Sequence, residues 1–290
     1  MKVDYLRGNL TASATGLFVI CRHLSWYDGG RSEEDLRQSL HLLRSGADST
    51  GSILTDSLAV GQGIGLLGRD QASSRWYVEP HVNSLFQSEG DQWPAFRGEL
   101  LRTIAEDGLA AVSDRGKVPD LVRVLTLFMQ ADPLSPLAED YGKGAEAWFE
   151  KLGFDGVVNS TQWNAFKRWA TSLGLARRAN SGKPSVVIPD ASTAIADQLG
   201  ALPTSGSARE WLASLRERLP ILGSKALTSQ LPRARAWDEV PPGVVLGLLK
   251  LENSGVLVLE PSDDASDVLS IGLGATRRQI GRIKVGSRRG

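Results

Sequence analysis

The stretch that decides the fold is residues 144–189, GAEAWFEKLGFDGVVNSTQWNAFKRWATSLGLARRANSGKPSVVIP. Four large apolar residues recur there at steps of three or four, which places their side chains on one face of an α-helix: Trp163, Phe166, Trp169 and Leu173. Gly174 follows them and suits the left-handed conformation in which many helices end. A strand, a polar turn and a second strand ending at Pro189 complete the stretch. Helices followed by a β-hairpin predict a winged-helix-like unit.

Two helices are predicted inside this unit. The first is Ala145–Leu152, and the second carries the apolar face that ends at Leu173. Ser160 or Thr161 is the expected N-cap of the second helix, because a side-chain oxygen at that position accepts a hydrogen bond from a free backbone N–H.

The same order of elements recurs near the N-terminus. Gly65 stands 15 positions before Pro80, as Gly174 does before Pro189, and a strand, a turn and a strand fit between each pair. Three helices are predicted ahead of Gly65: Gly16–His23, Ser32–Leu43 and Ser52–Gly63. Ser32 is the expected N-cap of the second of these helices, and the acidic residues after it suit a helix start.

A third copy begins at Ser207. The predicted helices are Ser207–Leu219, Leu219–Gln230 and Gly243–Leu251. Pro241 and Pro242 open the last of them, since proline is favoured in a first turn. A strand at Gly255–Glu260, an acidic turn and a returning strand at Val268–Ile271 are expected to close this copy as another hairpin.

The segment between the first two copies has a different character. Residues 88–155 hold 13 acidic and 7 basic side chains. Apolar spacing predicts helices at Phe96–Asp107 and Pro119–Gln130, and the prolines within Asp132–Pro136 end the second. We interpret this segment as a helical connector.

These patterns predict a mostly α-helical protein with small β-hairpins, an α+β fold of tandem winged-helix-like domains joined by a helical connector. The predicted division is an N-terminal winged-helix-like domain at 1–87, the connector at 88–143, a central winged-helix-like domain at 144–200, and a C-terminal one with a basic tail at 201–290.

Composition excludes several classes of protein. The 290 residues contain 33 basic and 33 acidic side chains, so any contact with nucleic acid must come from a local patch. The single cysteine, Cys21, excludes a disulfide framework and a thiolate-rich metal site. We find no signal-peptide pattern and no apolar run of the roughly 18–20 residues that cross a membrane. A cytoplasmic protein that does not engage membranes is therefore expected.

No motif for catalysis stands out. The three histidines, His23, His41 and His81, lack the spacing of a helical metal site. The glycine clusters at Gly61–Gly65 and Gly272–Gly274 match neither a dinucleotide-binding nor a P-loop fingerprint, and are interpreted as turns or helix ends. We therefore expect no enzyme, no catalytic residue, no cofactor and no metal site.

The best functional candidate is a basic stretch in the central unit. Between Gly156 and Pro189 there are five basic residues and no acidic one. In a helix-turn-helix protein the second helix enters the major groove, while nearby Arg and Lys hold phosphates. The candidate nucleic-acid-binding residues are Gln162, Asn164, Lys167, Arg168, Arg177, Arg178 and Lys183, with Arg277, Arg278 and Arg282 from the basic C-terminal stretch. A solvated face or a surface for an acidic partner is the alternative for both regions, and a disordered tail is a further alternative for the second.

Residues Val157–Gly174, the segment Val187-Ile-Pro-Asp190, and the helix Asp120–Gln130 running into Asp132-Pro133 resemble the DpdG-like proteins. These are bacterial accessory proteins encoded in gene clusters linked to deazapurine modification of DNA and to defence against phage. The resemblance covers about 70 central residues, with a looser likeness at both ends. It implies a non-enzymatic subunit acting beside helicases, nucleases or modification enzymes, and it supplies no catalytic residues.

Three functions remain open. The leading hypothesis is a non-catalytic adaptor that uses winged-helix units to bind duplex DNA, partner subunits such as a helicase, ATPase or nuclease, or both. The second is a scaffold that binds proteins alone, which zero net charge favours. The third is a transcription regulator, which three unequal units make a poorer fit. The sequence leaves the oligomeric state open.

Overall fold

The computed structural model describes residues 3–40, 53–180, 185–232, 239–261 and 268–286. Within these ranges helices dominate, and ten short strands form four small antiparallel sheets. Each of these sheets has only two or three strands. The predicted α+β class with small hairpins is confirmed at this level.

The N-terminal part contains α1 (Ala14–Leu24), α2 (Glu33–Ser39), α3 (Ile53–Gly63), β1 (Leu67–Arg69) and β2 (Trp76–Val78). The three predicted helices are present, although α2 ends at Ser39, where Leu40 leaves the helical conformation, and not at Leu43. Residues 41–52 lie outside the described residues. Ser32 caps α2 as predicted, because its hydroxyl accepts from the Asp35 N–H while the Asp35 carboxylate accepts from the Ser32 N–H.

The β1–β2 hairpin carries one further extended residue. Arg31 forms a β-bridge with Trp76 on the edge of β2 that does not face β1. The segment between α1 and α2 thus acts as a rudimentary third strand.

Three helices follow: α4 (Pro80–Asn83), α5 (Trp93–Ser113) and α6 (Asp120–Met129). Helix α5 is much longer than the predicted Phe96–Asp107. It begins earlier because Pro94 is tolerated in its first turn. It continues past Asp107 through Gly108, where a side chain would meet Val122 of α6, so the absence of one lets the two helices approach closely.

The central part contains β3 (Leu137–Ala138), α7 (Ala145–Leu152), α8 (Ser160–Ser172), β4 (Ala176–Ala179) and β5 (Val186–Pro189), in the strand order β3-β5-β4. The predicted apolar face of α8 is confirmed, since all four of its residues are fully buried. Gly174 has the expected left-handed conformation, with φ of +73°.

The predicted cap of α8 is wrong by one residue. The Asn159 side chain accepts a hydrogen bond from the Gln162 N–H at 2.9 Å, while Ser160 and Thr161 already belong to the helix and are exposed. Asparagine caps as well as serine does, so the residue type alone did not separate three adjacent candidates.

The C-terminal part contains helices α9 (Ser192–Gln198), α10 (Ala208–Arg218), α11 (Lys225–Thr228) and α12 (Pro242–Asn253), and strands β6 (Ser205–Ser207), β7 (Leu257–Glu260), β8 (Leu269–Ile271), β9 (Arg278–Ile280) and β10 (Arg282–Val285). The prediction of one helix over Leu219–Gln230 is wrong. Gly223 adopts φ of +109°, which ends a short 3-10 turn, and α11 starts again after the new N-cap Ser224.

The predicted pairing of the last hairpin is also wrong. Strand β7 pairs with β10, whereas β8, at the predicted return strand, pairs with β9. The Lys284 ammonium lies 2.6 Å from the Glu260 carboxylate across the β7–β10 pair. The basic stretch is therefore folded as far as Gly286, beyond which Arg288 and Arg289 lie outside the described residues.

A common order of elements recurs in the three parts: a helix, an extended segment, two or three further helices, and then two paired strands. The extended segments are Arg31, β3 and β6, and each pairs with the last strand of its own part. That last strand, β2, β5 or β10, also pairs with the strand before it, so it lies in the middle each time. In the C-terminal part, the β8–β9 hairpin is inserted between the two final strands.

The hydrophobic core is continuous across these parts. Tyr5 packs edge-to-face on Trp169 of α8, with 5.7 Å between ring centroids. The Asp120 carboxylate accepts the N–H groups of Tyr5 and Leu6 at 3.0 and 2.9 Å, so the N-terminal segment is held against α6 and α8. Burial raises the pKa of Asp120, and these N–H donors oppose that rise. The proposed division into domains stays a prediction.

In the part of the chain that the structure describes, we find no helix with both the length and the apolar character needed to cross a membrane.

Candidate nucleic-acid interface

Helix α8 divides the predicted site residues between two environments. Its buried face carries the aromatic residues, and the helical period leaves Asn164, Arg168 and Thr171 on the opposite, exposed face. Gln162 and Lys167 are 9% exposed and belong largely to the interior. Only part of the predicted set on this helix therefore faces outward.

The Gln162 side chain is engaged within the helix start. Its amide oxygen accepts the N–H of Val158 at 2.8 Å, while the Asn159 side chain accepts the N–H of Gln162. The two contacts close the first turn of α8 reciprocally, as in a capping box. The amide oxygen of Gln162, which could otherwise contact a base edge, is therefore already hydrogen-bonded to the backbone of Val158.

Lys167 points toward the strand β3 side of the unit. Its ammonium donates to the Glu139 carbonyl oxygen at 2.7 Å and lies 3.9 Å from the Glu139 carboxylate. Burial lowers the pKa of Lys167, while the charge of Asp140 raises it. The Lys167 ammonium lies just beneath the surface, where it adds positive charge without projecting into solvent.

Arg168 connects the central part to the N-terminal segment. Its guanidinium donates a hydrogen bond to the backbone carbonyl of Leu10. Burial lowers the pKa of Arg168, but an arginine remains charged at any physiological pH. This partner is neutral, and no acidic side chain within the described ranges forms an ion pair with Arg168.

Arg177 and Arg178 lie side by side on β4 and both are exposed. Arg178 forms an ion pair with the Glu139 carboxylate. Among the described residues, none forms an ion pair with Arg177. Lys183 of the predicted set lies outside the described residues.

Two open clefts flank β4. The first has a volume of about 400 Å³ and is lined by Ser13, Thr15, Glu139, Asn164, Lys167, Arg168, Thr171, Ser172 and Arg178. The second, of about 530 Å³, lies between the hairpin and α12 and is lined by Arg177, Arg178, Ala179, Asn180, Ile188, Asp190, Leu246 and Lys250. In the second cleft the buried Asp190 carboxylate pairs with the Lys250 ammonium. Arg178 lines both clefts.

The C-terminal candidates form a separate group on β9, β10 and the turn before them. Arg278 forms an ion pair with Glu252 of α12. Arg277 donates to the Gly272 carbonyl at 3.4 Å, which is a weak contact. Arg282 is exposed at the start of β10. None of these three arginines lines either of the two clefts beside β4.

Within the described ranges, no group of three or more His, Cys, Asp or Glu residues is arranged to hold a metal ion. His41 lies outside those ranges. Cys21 is fully buried, and burial raises the pKa of its thiol. It packs as a small apolar residue in α1.

Comparison with protein families identifies the chain. A model of the DpdG-like family matches residues 6–265. The chain belongs to the DpdG-like family. The resemblance based on the central residues is thus confirmed over a much longer range of this DpdG-like protein. Comparison with curated proteins and with solved structures gave no match.

Sequence reasoning missed five polar residues of the first cleft of this DpdG-like protein, namely Glu139 and four residues with hydroxyl groups. Thr171 follows Asn164 and Arg168 at helical spacing, so an outward stripe on α8 was readable from the sequence. Ser172 lies next to it. Ser13 and Thr15 gave no such signal, because they reach the cleft only when the start of α1 packs beside α8.

Proposed function

We propose that this DpdG-like protein is a non-catalytic adaptor in a bacterial DNA-modification or phage-defence system. It binds DNA and partner subunits through three winged-helix units. The gene clusters to which the resemblance points, linked to modification of DNA, supply the biological setting. The family resemblance supplies no catalytic residues, which supports an adaptor over an enzyme.

The shared connectivity of the three parts is the observation that carries this proposal. A helix, an edge strand, two helices and a hairpin, with the edge strand paired to the last strand, is the order expected of a winged helix, and the N-terminal and central parts have it. The C-terminal part differs by the additional helix α11 and the inserted β8–β9 hairpin. In this interpretation α8 is the helix that would face DNA in the central unit, and β4 and β5 form its wing. Fold by itself does not fix function, so the charge of the surface matters as well.

The central unit contacts the DNA backbone in preference to base edges. Arg168 is bound to the Leu10 carbonyl, and Ser13 and Thr15 line the same cleft as the outer face of α8. With this neighbour beside it, α8 is not free along its length to enter a major groove. Arg177, which is exposed on β4, remains available for phosphates, and phosphate contacts carry affinity without sequence preference.

The test measures binding of duplex DNA by fluorescence anisotropy over a series of salt concentrations. Arg177→Ala removes an exposed arginine with no ion-pair partner among the described residues, so its fold should be unaffected. We expect weaker binding to all duplex sequences, and a slope of log affinity against log salt smaller by about 1.

Arg22→Ala is the matched control, because Arg22 is an exposed arginine in the last turn of α1, away from both clefts. Its affinity and salt slope should equal those of the unmodified protein. Absence of duplex binding even at low salt would remove DNA from the proposed function.

A second candidate function, a scaffold that binds proteins alone, is favoured by one observation. Trp26, directly after α1, is 72% exposed, and Tyr77 on β2 is 39% exposed. Tyr27, the residue after Trp26, lines a small cleft together with Tyr77. Tryptophan and tyrosine are the side chains that contribute most to protein interfaces.

A further inference from the structure

The first cleft is built by two parts of the chain that are far apart in sequence. Ser13 and Thr15 stand at the start of α1, and Asn164, Thr171 and Ser172 lie on α8 or at its end. The hydrogen bond from Arg168 to the Leu10 carbonyl holds the two sides together. The cleft therefore exists only in the folded chain.

Hydrogen-bond donors without acceptors line this cleft. Among the described residues, the side chains of Thr15, Asn164, Thr171 and Ser172 make no hydrogen bond. The Ser13 oxygen accepts the Gly16 N–H at 3.0 Å, which leaves its own O–H free to donate. Four hydroxyl groups and one amide thus face a common open space with no acceptor of their own.

The charge of the cleft, like its hydrogen-bond donors, favours an anionic ligand. Three lining side chains are cationic, Lys167, Arg168 and Arg178, and one is anionic, Glu139. The single carboxylate lies near both Lys167 and Arg178, and the partner of Arg168 is an uncharged carbonyl. The lining therefore keeps a net positive charge.

We propose that this cleft binds a phosphate group. A phosphate presents several strong acceptor oxygens at once, and it needs the dense set of hydroxyl, amide and guanidinium donors that the cleft supplies. Its volume of about 400 Å³ lies in the range of small-ligand sites, so the phosphate is either one of the DNA backbone or that of a free nucleotide. The inference deepens the proposed function and rests on it where the phosphate belongs to DNA.

The experiment uses the full chain and three probes: inorganic phosphate, deoxyadenosine 5′-monophosphate and a 20-base-pair duplex. Amide shifts in two-dimensional NMR report where the small probes bind, and anisotropy reports duplex affinity. Thr171→Glu places a carboxylate in the cleft at an exposed helix position. Thr161→Glu is the matched control, because it makes the same change in the first turn of α8, outside the cleft. Thr171→Val removes only the hydroxyl.

We expect saturable shifts of the amides around Ser13–Thr15 and Asn164–Ser172 with at least one small probe. Thr171→Glu should weaken that binding by about tenfold or more, Thr171→Val by a few-fold, and Thr161→Glu not at all. Equal affinity in Thr171→Glu and Thr161→Glu for every probe, or shifts elsewhere only, would overturn the proposal.

The arms also separate this proposal from the proposed function. Small probes that bind in the cleft while the duplex does not bind would identify a nucleotide or phosphate site and end the DNA-binding function. Duplex binding that Thr171→Glu leaves unchanged would support the DNA-binding function and exclude the DNA backbone as the source of the phosphate in the cleft.

Discussion

At the scale of single residues, buried polar groups tie distant segments together. The Asp120 carboxylate is 5% exposed and accepts the backbone N–H groups of Tyr5 and Leu6, more than a hundred positions earlier. Neither N–H has another partner in the described contacts, so the carboxylate satisfies both. A buried donor left without an acceptor costs about 1–3 kcal/mol. Asp120 is thus the residue that fixes the N-terminal segment beside α6 and α8.

Asp120→Ala should lower the free energy of unfolding by about 3 kcal/mol, since it leaves two buried N–H groups unsatisfied. Asp120→Asn keeps one acceptor oxygen, so its free energy of unfolding should lie between those of the unmodified protein and Asp120→Ala. Urea denaturation, followed by tryptophan fluorescence because Tyr5 contacts Trp169, measures the change. Asp114→Ala, at the exposed end of α5, is the control and should change the stability little. If both alanine variants were equally stable, the Asp120 contacts would contribute nothing.

At the scale of elements, the order along the chain follows local signals while end points depend on details. Helix α8 is defined by its apolar period, and Gly174 with positive φ follows its C-cap Leu173, as the sequence predicts. Its first residue is set by whichever side chain bonds the free N–H groups, and Asn159 does so. The segment 219–230 shows the opposite outcome, because Gly223 and Ser224 end one turn and begin the next.

Asn159→Ala should destabilise the protein by about 1 kcal/mol, the usual loss for an N-cap side chain. Ser160→Ala should leave the stability nearly unchanged, since Ser160 is exposed and lies inside the helix. The urea midpoints of the two variants are compared, provided that the slopes of their unfolding free energy against urea concentration are equal. If Ser160→Ala were the less stable variant, Ser160 and not Asn159 would be the N-cap of α8.

At the scale of the whole molecule, one continuous core joins three parts with a common order of elements, and the surface differs between them. The central part carries the hydroxyl-lined cleft and the exposed arginines of β4, whereas the N-terminal part carries exposed aromatic residues. The C-terminal part pairs Arg278 with Glu252 and Lys284 with Glu260, so much of its basic charge is compensated. These differences are the basis for proposing DNA as the ligand of the central part and a protein as the partner of the N-terminal part.

Trp26→Ala should weaken the association with a neighbouring gene product of the same cluster by about 30-fold, because a hot-spot residue contributes 2 kcal/mol or more. Purification of the tagged chain from its host after nuclease treatment gives the partner, and titration of the purified partner gives the affinity. Leu134→Ala removes another exposed apolar side chain, 60% exposed, and should have no effect. Loss of the partner on nuclease treatment would show that DNA bridges the two proteins.

Local sequence patterns predict most of the helices and point to the family. Apolar spacing predicted α1, α3, α6, α7, α8, α10 and α12, glycine positions predicted the hairpins that follow α3 and α8, and the central residues pointed to the DpdG-like family. These features depend on neighbours within a few positions, where period, capping and turn chemistry act directly.

The tertiary structure alone decided which strand pairs with β7, which predicted residues on α8 face outward, and that Ser13 and Thr15 complete a cleft with that helix. It placed Gln162 and Lys167 in internal contacts and tied Arg168 to Leu10. Each of these depends on segments distant in the chain, whose packing no local pattern encodes. Local sequence patterns therefore define the helices, whereas the packing of these helices against each other forms the candidate site.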